Sequence, residues 1–175
     1  MENISIKSVT PSEIDQLAAI SRQTFSETFS AGNSEENLKK YLAEELSAEK
    51  LTAELNNPNS EFYFAELDGK IIGYLKLNFG QAQTELQDQA AVEIERIYVL
   101  KEFHGKHVGQ LLYQKAIEVA RQKNADYIWL GVWEENPRAI NFYKKNGFAE
   151  FDKHIFRLGN DEQTDIMMKL PLKEK

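Results

Sequence analysis

The segment from His104 to Gly109, which reads HGKHVG, is the part of the sequence best suited to bind an anion. A predicted strand, VEIERIYV at 92–99, precedes it, and an amphipathic helix follows it. The start of a helix presents unpaired backbone N–H groups and the positive end of the helix dipole, which favour a phosphate or pyrophosphate. The segment lacks the three glycines of a dinucleotide fingerprint and the GxxxxGK(S/T) pattern of a phosphate-binding loop. A tight strand-to-helix turn without a ligand therefore stays open as the alternative.

Two carboxylates lie on the strand that leads into this turn. Glu93 and Glu95 are two residues apart, so in a strand without a bulge they share one face with Ile97 and Val99. A carboxylate on such a face can accept a proton during a reaction, or it can pair with a neighbouring cation such as Arg96. The spacing alone does not decide between a general base and an ion pair.

The composition excludes several classes of protein. A length of 175 residues predicts one domain, 1–175, and a hydrophobic share of 42% is enough for a core. The balance of 28 acidic against 21 basic residues, a net charge of −7, disfavours nucleic-acid binding and favours cationic partners. No apolar run approaches the roughly 20 residues of a spanning helix. The N-terminus, MENISIKSV, lacks a signal-peptide pattern, so we expect a cytoplasmic protein without membrane partners.

Metal and thiol chemistry are not expected. The chain has no cysteine, which excludes disulfides, thiolate zinc sites and cysteine nucleophiles. Its three histidines, His104, His107 and His154, are too few and too scattered to predict a metal cluster.

Hydrophobic periodicity predicts a mixed α/β order of elements. The pattern indicates a strand at 4–9, a helix with Ser12 as its N-cap, a helix opened by Ser34 and a short one over 47–55. A β-hairpin follows with Asp68-Gly69 as its turn, and then a polar loop over 81–90. The remaining elements are the strand at 92–99, the helix after HGKHVG, a buried strand at 126–133, a helix from Pro137 to Gly147, and two last strands.

Two motifs in the second half resemble the GNAT acetyltransferase superfamily. The segment ENPRAINFYKKNGF matches the superfamily's Asn-x-x-Ala-x-x-x-Tyr-x-x-x-Gly-Phe pattern from Asn136 through Tyr143 to Phe148. The superfamily's pyrophosphate turn reads Gln/Arg-x-x-Gly-x-Gly/Ala, and HGKHVG departs from it twice. His104 stands at the Gln/Arg position, and His107 replaces the first glycine. Backbone N–H groups make most contacts in such a turn, so a compatible backbone keeps the site.

The resemblance implies a fold and a co-substrate. It implies a single-domain mixed α/β fold, with helices flanking a central mixed sheet of about seven strands whose fourth and fifth strands splay apart. Acetyl-CoA binds between those two strands, and no metal takes part. The positions that the resemblance assigns to the co-substrate are the main chain of Ile97, Tyr98 and Val99, the turn of His104, Gly105, Lys106, His107, Val108 and Gly109, and Asn136 and Tyr143.

The same resemblance assigns catalytic roles. Tyr143 falls on the general-acid position, where a phenol protonates the departing thiolate, although a core tyrosine is the alternative. The Val99 N–H faces the thioester oxygen in this scheme. Glu93 stands where some members carry a catalytic glutamate, and Glu95 is the alternative base. Many members need no dedicated base, so that possibility stays open as well.

Most of the chain resembles bacterial spermidine/spermine N-acetyltransferases of the PaiA type. The segments that carry this likeness are TF…NSEENLKKYL near the N-terminus and EFDKHIFRLGNDEQTDIMMKL near the C-terminus. The likeness implies a polyamine acceptor such as spermidine or spermine, and the acidic helices after the first strand suit a polycation. The glutamates concerned are Glu27, Glu35, Glu36, Glu44 and Glu45.

Three functions remain open at this point. The first is a polyamine N-acetyltransferase, and the second is an N-acetyltransferase for another amine, such as a protein N-terminus or an amino sugar. The third is a CoA-binding regulatory module with little turnover. The resemblance also makes a homodimer possible, since dimers are common in the superfamily.

Overall fold

The centre of the computed structural model, which describes residues 3–30 and 33–173, is one mixed sheet of seven strands. The strands are β1 (Ile4–Ser8), β2 (Ser60–Leu67), β3 (Lys70–Phe79), β4 (Ala91–Val99), β5 (Tyr127–Trp133), β6 (Ala149–Leu158) and β7 (Asp161–Pro171). The helices are α1 (Ile14–Phe29), α2 (Glu35–Glu45), α3 (Ala48–Leu55), α4 (Val108–Gln122) and α5 (Pro137–Lys145). The strand order is β1-β2-β3-β4-β5-β7-β6, and among the described strands only the neighbours β4 and β5 run parallel. The predicted mixed α/β architecture is confirmed.

The first helix begins differently from the prediction. A short 3-10 turn, Pro11–Glu13, precedes α1, so Ser12 lies inside the turn and is not the N-cap. The Glu13 carboxylate accepts hydrogen bonds from the Thr10 N–H, at 3.0 Å, and from the Thr10 hydroxyl, at 2.9 Å. Thr-x-x-Glu is the spacing of a capping box, which satisfies backbone donors at a helix start better than Ser12 alone.

Two other local predictions hold. The Ser34 hydroxyl accepts a hydrogen bond from the Asn37 N–H at 3.1 Å and so opens α2. Asp68 and Gly69 form the tight turn of the β2–β3 hairpin, with φ values of 50° and 83°. Both values lie in the left-handed region that this kind of turn requires.

Helices cover the sheet on both faces. On one face, Glu54 of α3 reaches Lys76 of β3, with 3.0 Å between the carboxylate and the ammonium. On the other face, a Cβ at Gly73 would lie 3.3 Å from Leu112 of α4. We call the first the α1–α3 face and the second the α4 face. In the described part of the chain, no helix is long and apolar enough to span a membrane.

A β-bulge in β4 changes which side chains share a face. Leu77 of β3 pairs with Ile94, but its neighbour Lys76 pairs with Arg96, so Glu95 is an extra residue. Because paired residues lie on the same face, Arg96 joins Lys76 on the α1–α3 face.

The rest of β4 follows from this bulge. Glu93 pairs with Asn78 and Tyr98 pairs with Tyr74, which places both on the α1–α3 face. Ile97 pairs with Leu75 and therefore lies on the α4 face, as does Val99 through its pairing with Gly73. The prediction that Glu93 shares one face with Ile97 and Val99 assumed a strand without a bulge, and it is wrong for this strand.

The central strands separate at the bulge. β4 and β5 pair only from Ala91 to Ile94, opposite Tyr127 to Leu130. From Glu95 onward, the edge of β4 that faces β5 has no strand partner among the described residues. This is the splayed pair that the resemblance implies.

Candidate active site

A cleft of about 1720 Å³ opens over the separated ends of β4 and β5. The turn 104–109 and the start of α5 form one part of its wall. The loop residues Thr84 and Glu85, together with His154 and Asp165 of the β6–β7 hairpin, form another part. Every residue predicted for catalysis or for the co-substrate lines this cleft except Lys106.

The turn before α4 has a left-handed backbone conformation at His107, the position where the family pattern has a glycine. Gly105 has a φ of 81°, and His107 has a φ of 65°, which is left-handed. A non-glycine residue in this region is uncommon, although histidine occurs there more often than most residues do. The substitution at His107 therefore leaves the turn conformation in place.

The start of α4 offers free donors to the cleft. Among the described residues, no group accepts a hydrogen bond from the N–H of Val108, Gly109 or Gln110. The first bond of the helix runs from the Leu111 N–H to the His107 carbonyl, at 3.2 Å. A Cβ built on Gly109 would meet nothing closer than the Val99 side chain at 4.0 Å. This open helix start fits the pyrophosphate of coenzyme A.

His104 fastens the turn to the end of β4. Its Nε2 lies 2.9 Å from the Val99 carbonyl oxygen. Because a carbonyl only accepts hydrogen bonds, Nε2 carries the proton in this contact. Burial lowers the pKa of His104, and the nearby cations Arg138 and Lys101 lower it further, against the hydrogen bond to Val99. Those cations also line the cleft and complement an anion bound at the turn.

The predicted pantetheine positions lie along the free edge of β4. Ile97, Tyr98 and Val99 pair with β3 on one side and, within the described residues, have no partner strand on the other. An extended ligand can add to such an edge through main-chain hydrogen bonds, as another strand would.

Asn136 and Tyr143 come from the same helix, α5. The Asn136 side chain is the N-cap of that helix, and its Oδ1 accepts from the Ala139 N–H at 3.2 Å. Tyr143 packs between Phe142 and Phe148, with ring centroids 5.4 and 5.5 Å away.

The environment of the Tyr143 phenol favours its neutral, protonated form over the charged phenolate. Its ring is buried, and burial raises the pKa of the phenol above its ordinary value. Within residues 3–30 and 33–173, no group forms a hydrogen bond with its hydroxyl. The phenol therefore stays protonated at the wall of the cleft, with no hydrogen-bond partner in that part of the chain.

Glu93 is buried, and its carboxylate accepts three hydrogen bonds. Thr84 donates its N–H at 2.8 Å and its hydroxyl at 2.5 Å, and Asn78 donates its side-chain amide at 3.0 Å. Burial raises the pKa of Glu93, while the bonds from Thr84 and Asn78 act against that shift. The carboxylate ties the loop over 80–90 to the sheet.

Glu95 is held in an ion-pair network and is not available as a base. Its carboxylate lies 2.7 Å from Lys76 and 3.1 Å from Arg96. Burial acts to raise the pKa of Glu95, but the attraction of Arg96 and Lys76 outweighs it and lowers the pKa to about 2. A carboxylate with so low a pKa is a weak proton acceptor near neutral pH.

Two features of the cleft carry no signal in the sequence. The polar segment 81–90 is predicted as a loop, yet Gln83 within it is buried and accepts from the Trp129 indole N–H at 2.7 Å. Asp165 lies on β7, paired in register with His154 of β6 and Trp133 of β5. Neither residue stands in a motif. Asp165 lines the cleft itself, whereas Gln83 anchors the loop whose Thr84 and Glu85 line it.

The acidic helix residues lie outside the cleft with one exception. Glu35 pairs with Lys39 at the surface, and Glu45 pairs with Lys50. Glu27 does line the cleft, but its carboxylate accepts from the Lys101 N–H at 3.0 Å, on the side of the turn 104–109. The expectation that this set binds the acceptor is therefore not met by its geometry.

Comparisons with known proteins agree with this geometry. An uncharacterized N-acetyltransferase from the pepI 3′ region of Lactobacillus delbrueckii subsp. lactis is 41% identical over 172 residues, which is 98% of this chain and 99% of that protein. A spermidine N(1)-acetyltransferase of Thermoplasma acidophilum is 27% identical over 154 residues, 86% of this chain and 91% of that protein. The crystal structure of the PaiA N-acetyltransferase of Thermoplasma acidophilum with coenzyme A superposes with a TM-score of 0.80 at 25% identity, over 97% of this chain and 99% of that one.

A mixed sheet whose parallel central strands separate beside an open helix start is the architecture of a CoA-dependent acyltransferase. The sequence profile of the acetyltransferase (GNAT) family matches residues 15–148, and the chain belongs to that family. It is an acetyl-CoA-dependent N-acetyltransferase.

Proposed function

We propose that the acceptor is a polyamine such as spermidine or spermine. The observation that carries this proposal is a set of three carboxylates in the lining of the cleft, Glu85 of the loop 80–90, Glu93 of β4 and Asp165 of β7. Within the described residues, no lysine or arginine forms an ion pair with any of these three carboxylates. The name of the spermidine N(1)-acetyltransferase points to the same class of acceptor.

A cleft of this chemistry suits an alkyl chain that carries several ammonium groups. An ammonium is strongly hydrated, so an apolar cleft would reject it, whereas carboxylates replace its water by charge-assisted hydrogen bonds. Tyr41, Tyr98 and Trp133 also line the cleft. Aromatic faces attract cations and cover the methylene groups between them.

We propose that the phosphates of acetyl-CoA bind at the start of α4. The free N–H groups of Val108, Gly109 and Gln110 support this role, as do the cations Lys101 and Arg138. The free edge of β4 supports main-chain contacts with the pantetheine. In this arrangement the Val99 N–H faces the thioester oxygen and stabilises the negative charge that develops on it.

Tyr143 is the proposed general acid. The departing thiolate is the group that requires a proton, and a phenol with a raised pKa is fully protonated before the reaction. The hydroxyl makes no hydrogen bond to the described residues, so a sulfur atom can be its partner.

The proposal for Glu93 differs from the one that the sequence alone suggests. As the predicted base it would need a lone pair aimed at the amine, but three donors from Thr84 and Asn78 already bind its carboxylate. These contacts support a structural role, in which Glu93 holds Thr84 and the loop 80–90 against the acceptor side of the cleft.

A regulatory module without turnover is disfavoured by the turn 104–109. The loss of the family glycine at His107 is the feature that supports such a module, yet His107 adopts the left-handed φ of 65° that glycine would supply. Asn136 and Tyr143 both line the cleft as the family pattern requires.

We also propose a cytoplasmic location, since acetyl-CoA and polyamines are both held inside the cell.

An assay of thiol release tests the proposed function. The protein is incubated with acetyl-CoA and with spermidine, spermine, a monoamine, an amino sugar or a peptide with a free N-terminus. We expect the highest kcat/KM for the polyamines. Thiol release with the peptide or the amino sugar alone would assign the second function instead, and release with none of them would favour the regulatory module.

A further inference from the structure

Asp165 is a carboxylate of the cleft that has no partner inside the described protein. Among residues 3–30 and 33–173, no group donates a hydrogen bond to its side chain, and no lysine or arginine pairs with it. His154, its register partner on β6, interacts with it only through charge, and the His154 ring pairs with Glu85 at 2.9 Å.

The other carboxylates on this face are satisfied. Glu93 accepts three hydrogen bonds, and Glu95 pairs with Lys76 and Arg96. A partly buried carboxylate without donors destabilises the protein, because burial removes water and nothing replaces it. Such a group persists where a ligand supplies the missing partner.

Asp165 lies at the point where the central strands separate. Gly131 is the first residue of β5 beyond its pairing with β4, and it is exposed to the cleft. A Cβ built on Gly131 would lie 3.5 Å from the Asp165 Oδ2, so this glycine leaves the carboxylate open to the gap. Burial raises the pKa of the Tyr98 phenol on β4, and the charge of Asp165 raises it further.

We propose that Asp165 binds the reacting ammonium group of the acceptor and takes its first proton. This inference rests on the proposed function and adds the residue that holds the amine. Once the proton moves from nitrogen to the Asp165 carboxylate, the neutral amine attacks the thioester carbon. The C–N bond forms and the C–S bond breaks. The sulfur takes a proton from Tyr143, the second nitrogen proton restores the phenol, and Asp165 releases its proton to water.

The electrostatics of Asp165 agree with this role. Burial raises its pKa to about 6, partly opposed by the charge of His154. The carboxylate is therefore mostly ionised at pH 7 and is a stronger base than an exposed aspartate. The titratable groups that face it are His154 on β6, Tyr98 on β4 and, through its bond to His154, Glu85 of the loop.

The test compares Asp165→Asn with Glu162→Gln, a change of an exposed carboxylate on the same strand that pairs with Arg157. We expect Asp165→Asn to lower kcat/KM for spermidine by about 10²-fold or more, the range of a general base. Affinity for CoA by calorimetry and the Tm should not fall, because the asparagine removes an unpaired charge without changing the shape. Glu162→Gln should behave like the unmodified protein in all three measurements.

Binding of spermidine to the CoA complex gives a readout that is independent of turnover. Alkylammonium groups with a pKa of about 10 stay charged between pH 5 and pH 7, so a pH effect on affinity reports protein groups. We expect affinity to fall as pH drops through about 6, and the dependence to vanish in Asp165→Asn but to persist in His154→Gln.

Three results would overturn the proposal. The first is an Asp165→Asn variant that acetylates spermidine like the unmodified protein. The second is a pH dependence of spermidine binding that disappears in His154→Gln and persists in Asp165→Asn. If the unmodified protein acetylates no amine in the panel, the proposed function fails together with this inference, whereas the first two results leave the proposed function intact.

Discussion

Thr84 binds the Glu93 carboxylate through both its N–H and its hydroxyl, at 2.8 and 2.5 Å. With the bond from Asn78 at 3.0 Å, the carboxylate has three donors. Each of these bonds stabilises the charged form, and together they occupy three of the roughly four lone-pair sites of the carboxylate. The pair Thr84–Glu93 therefore fixes the loop 80–90, whose Thr84 and Glu85 form part of the wall of the cleft.

The variant Glu93→Gln tests this structural role. Glutamine replaces the charged carboxylate with a neutral amide that has one acceptor oxygen instead of two. At least one of the two hydrogen bonds from Thr84 is then lost, so we expect a lower Tm. Turnover should fall by less than about 10-fold, which is a smaller effect than the removal of a general base would cause. Thermal unfolding and steady-state kinetics measure both. If turnover instead falls by about 10²-fold or more while the Tm stays unchanged, Glu93 is the base after all.

Gly109→Glu tests the phosphate site at the start of α4. The new carboxylate would place bulk and negative charge at the free N–H groups, so we expect CoA binding by calorimetry to disappear. The fold should survive, because a negative charge in the first turn of a helix is favourable. His107→Gly is the matched control at the same turn. It should keep CoA affinity and raise stability by about 1 kcal/mol, since glycine adopts the left-handed φ without strain. Unchanged CoA affinity in Gly109→Glu would contradict the site.

Tyr143→Phe tests the general acid. If the phenol protonates the thiolate, turnover should fall by about 10²–10⁴-fold. The KM for acetyl-CoA should change little, because the hydroxyl acts mainly in the transition state. Turnover close to that of the unmodified protein would show that Tyr143 only packs among its aromatic neighbours.

Glu95→Gln tests the ion-pair network on the α1–α3 face. The pKa of Glu95 is about 2 in the folded protein, below its ordinary value of 4.5, so the ionised group stabilises the fold above about pH 4.5. That contribution is lost as the pH falls toward 2. At pH 7 we expect the variant to be less stable by about 3 kcal/mol, since Lys76 and Arg96 lose a buried partner. Urea unfolding at pH 7 and pH 3 should show the difference shrinking at the lower pH. An equal difference at both pH values would contradict the assignment.

Local signals in the sequence predict most of the fold. The Asp68-Gly69 turn, the cap at Ser34 and the buried strand at β5 are encoded within a few residues of each element. The motif around Asn136 and Tyr143 likewise places both residues on one helix that begins at the cleft.

The part of the cleft around Glu93 and Asp165 depends on contacts between residues far apart in the chain. The bulge at Glu95 depends on the register with β3, so the sequence pattern of β4 alone could not show that Glu93 and Ile97 lie on opposite faces. Asp165 reaches the cleft only because β7 inserts between β5 and β6. Thr84 meets Glu93 across a loop that has no hydrophobic period to predict its path.

Direct competition between two acceptors tests the polyamine assignment most sharply. Spermidine and butylamine are mixed at equal concentration with limiting acetyl-CoA at low ionic strength, and the acetylated products are counted by mass spectrometry. Their ratio equals the ratio of the two kcat/KM values. We predict that acetylspermidine exceeds acetylbutylamine by at least about 10-fold, which is the gain expected from one additional charge-assisted hydrogen bond to spermidine. Added salt should reduce this excess, because it screens the attraction between charges. Equal products, or more acetylbutylamine, would contradict the assignment.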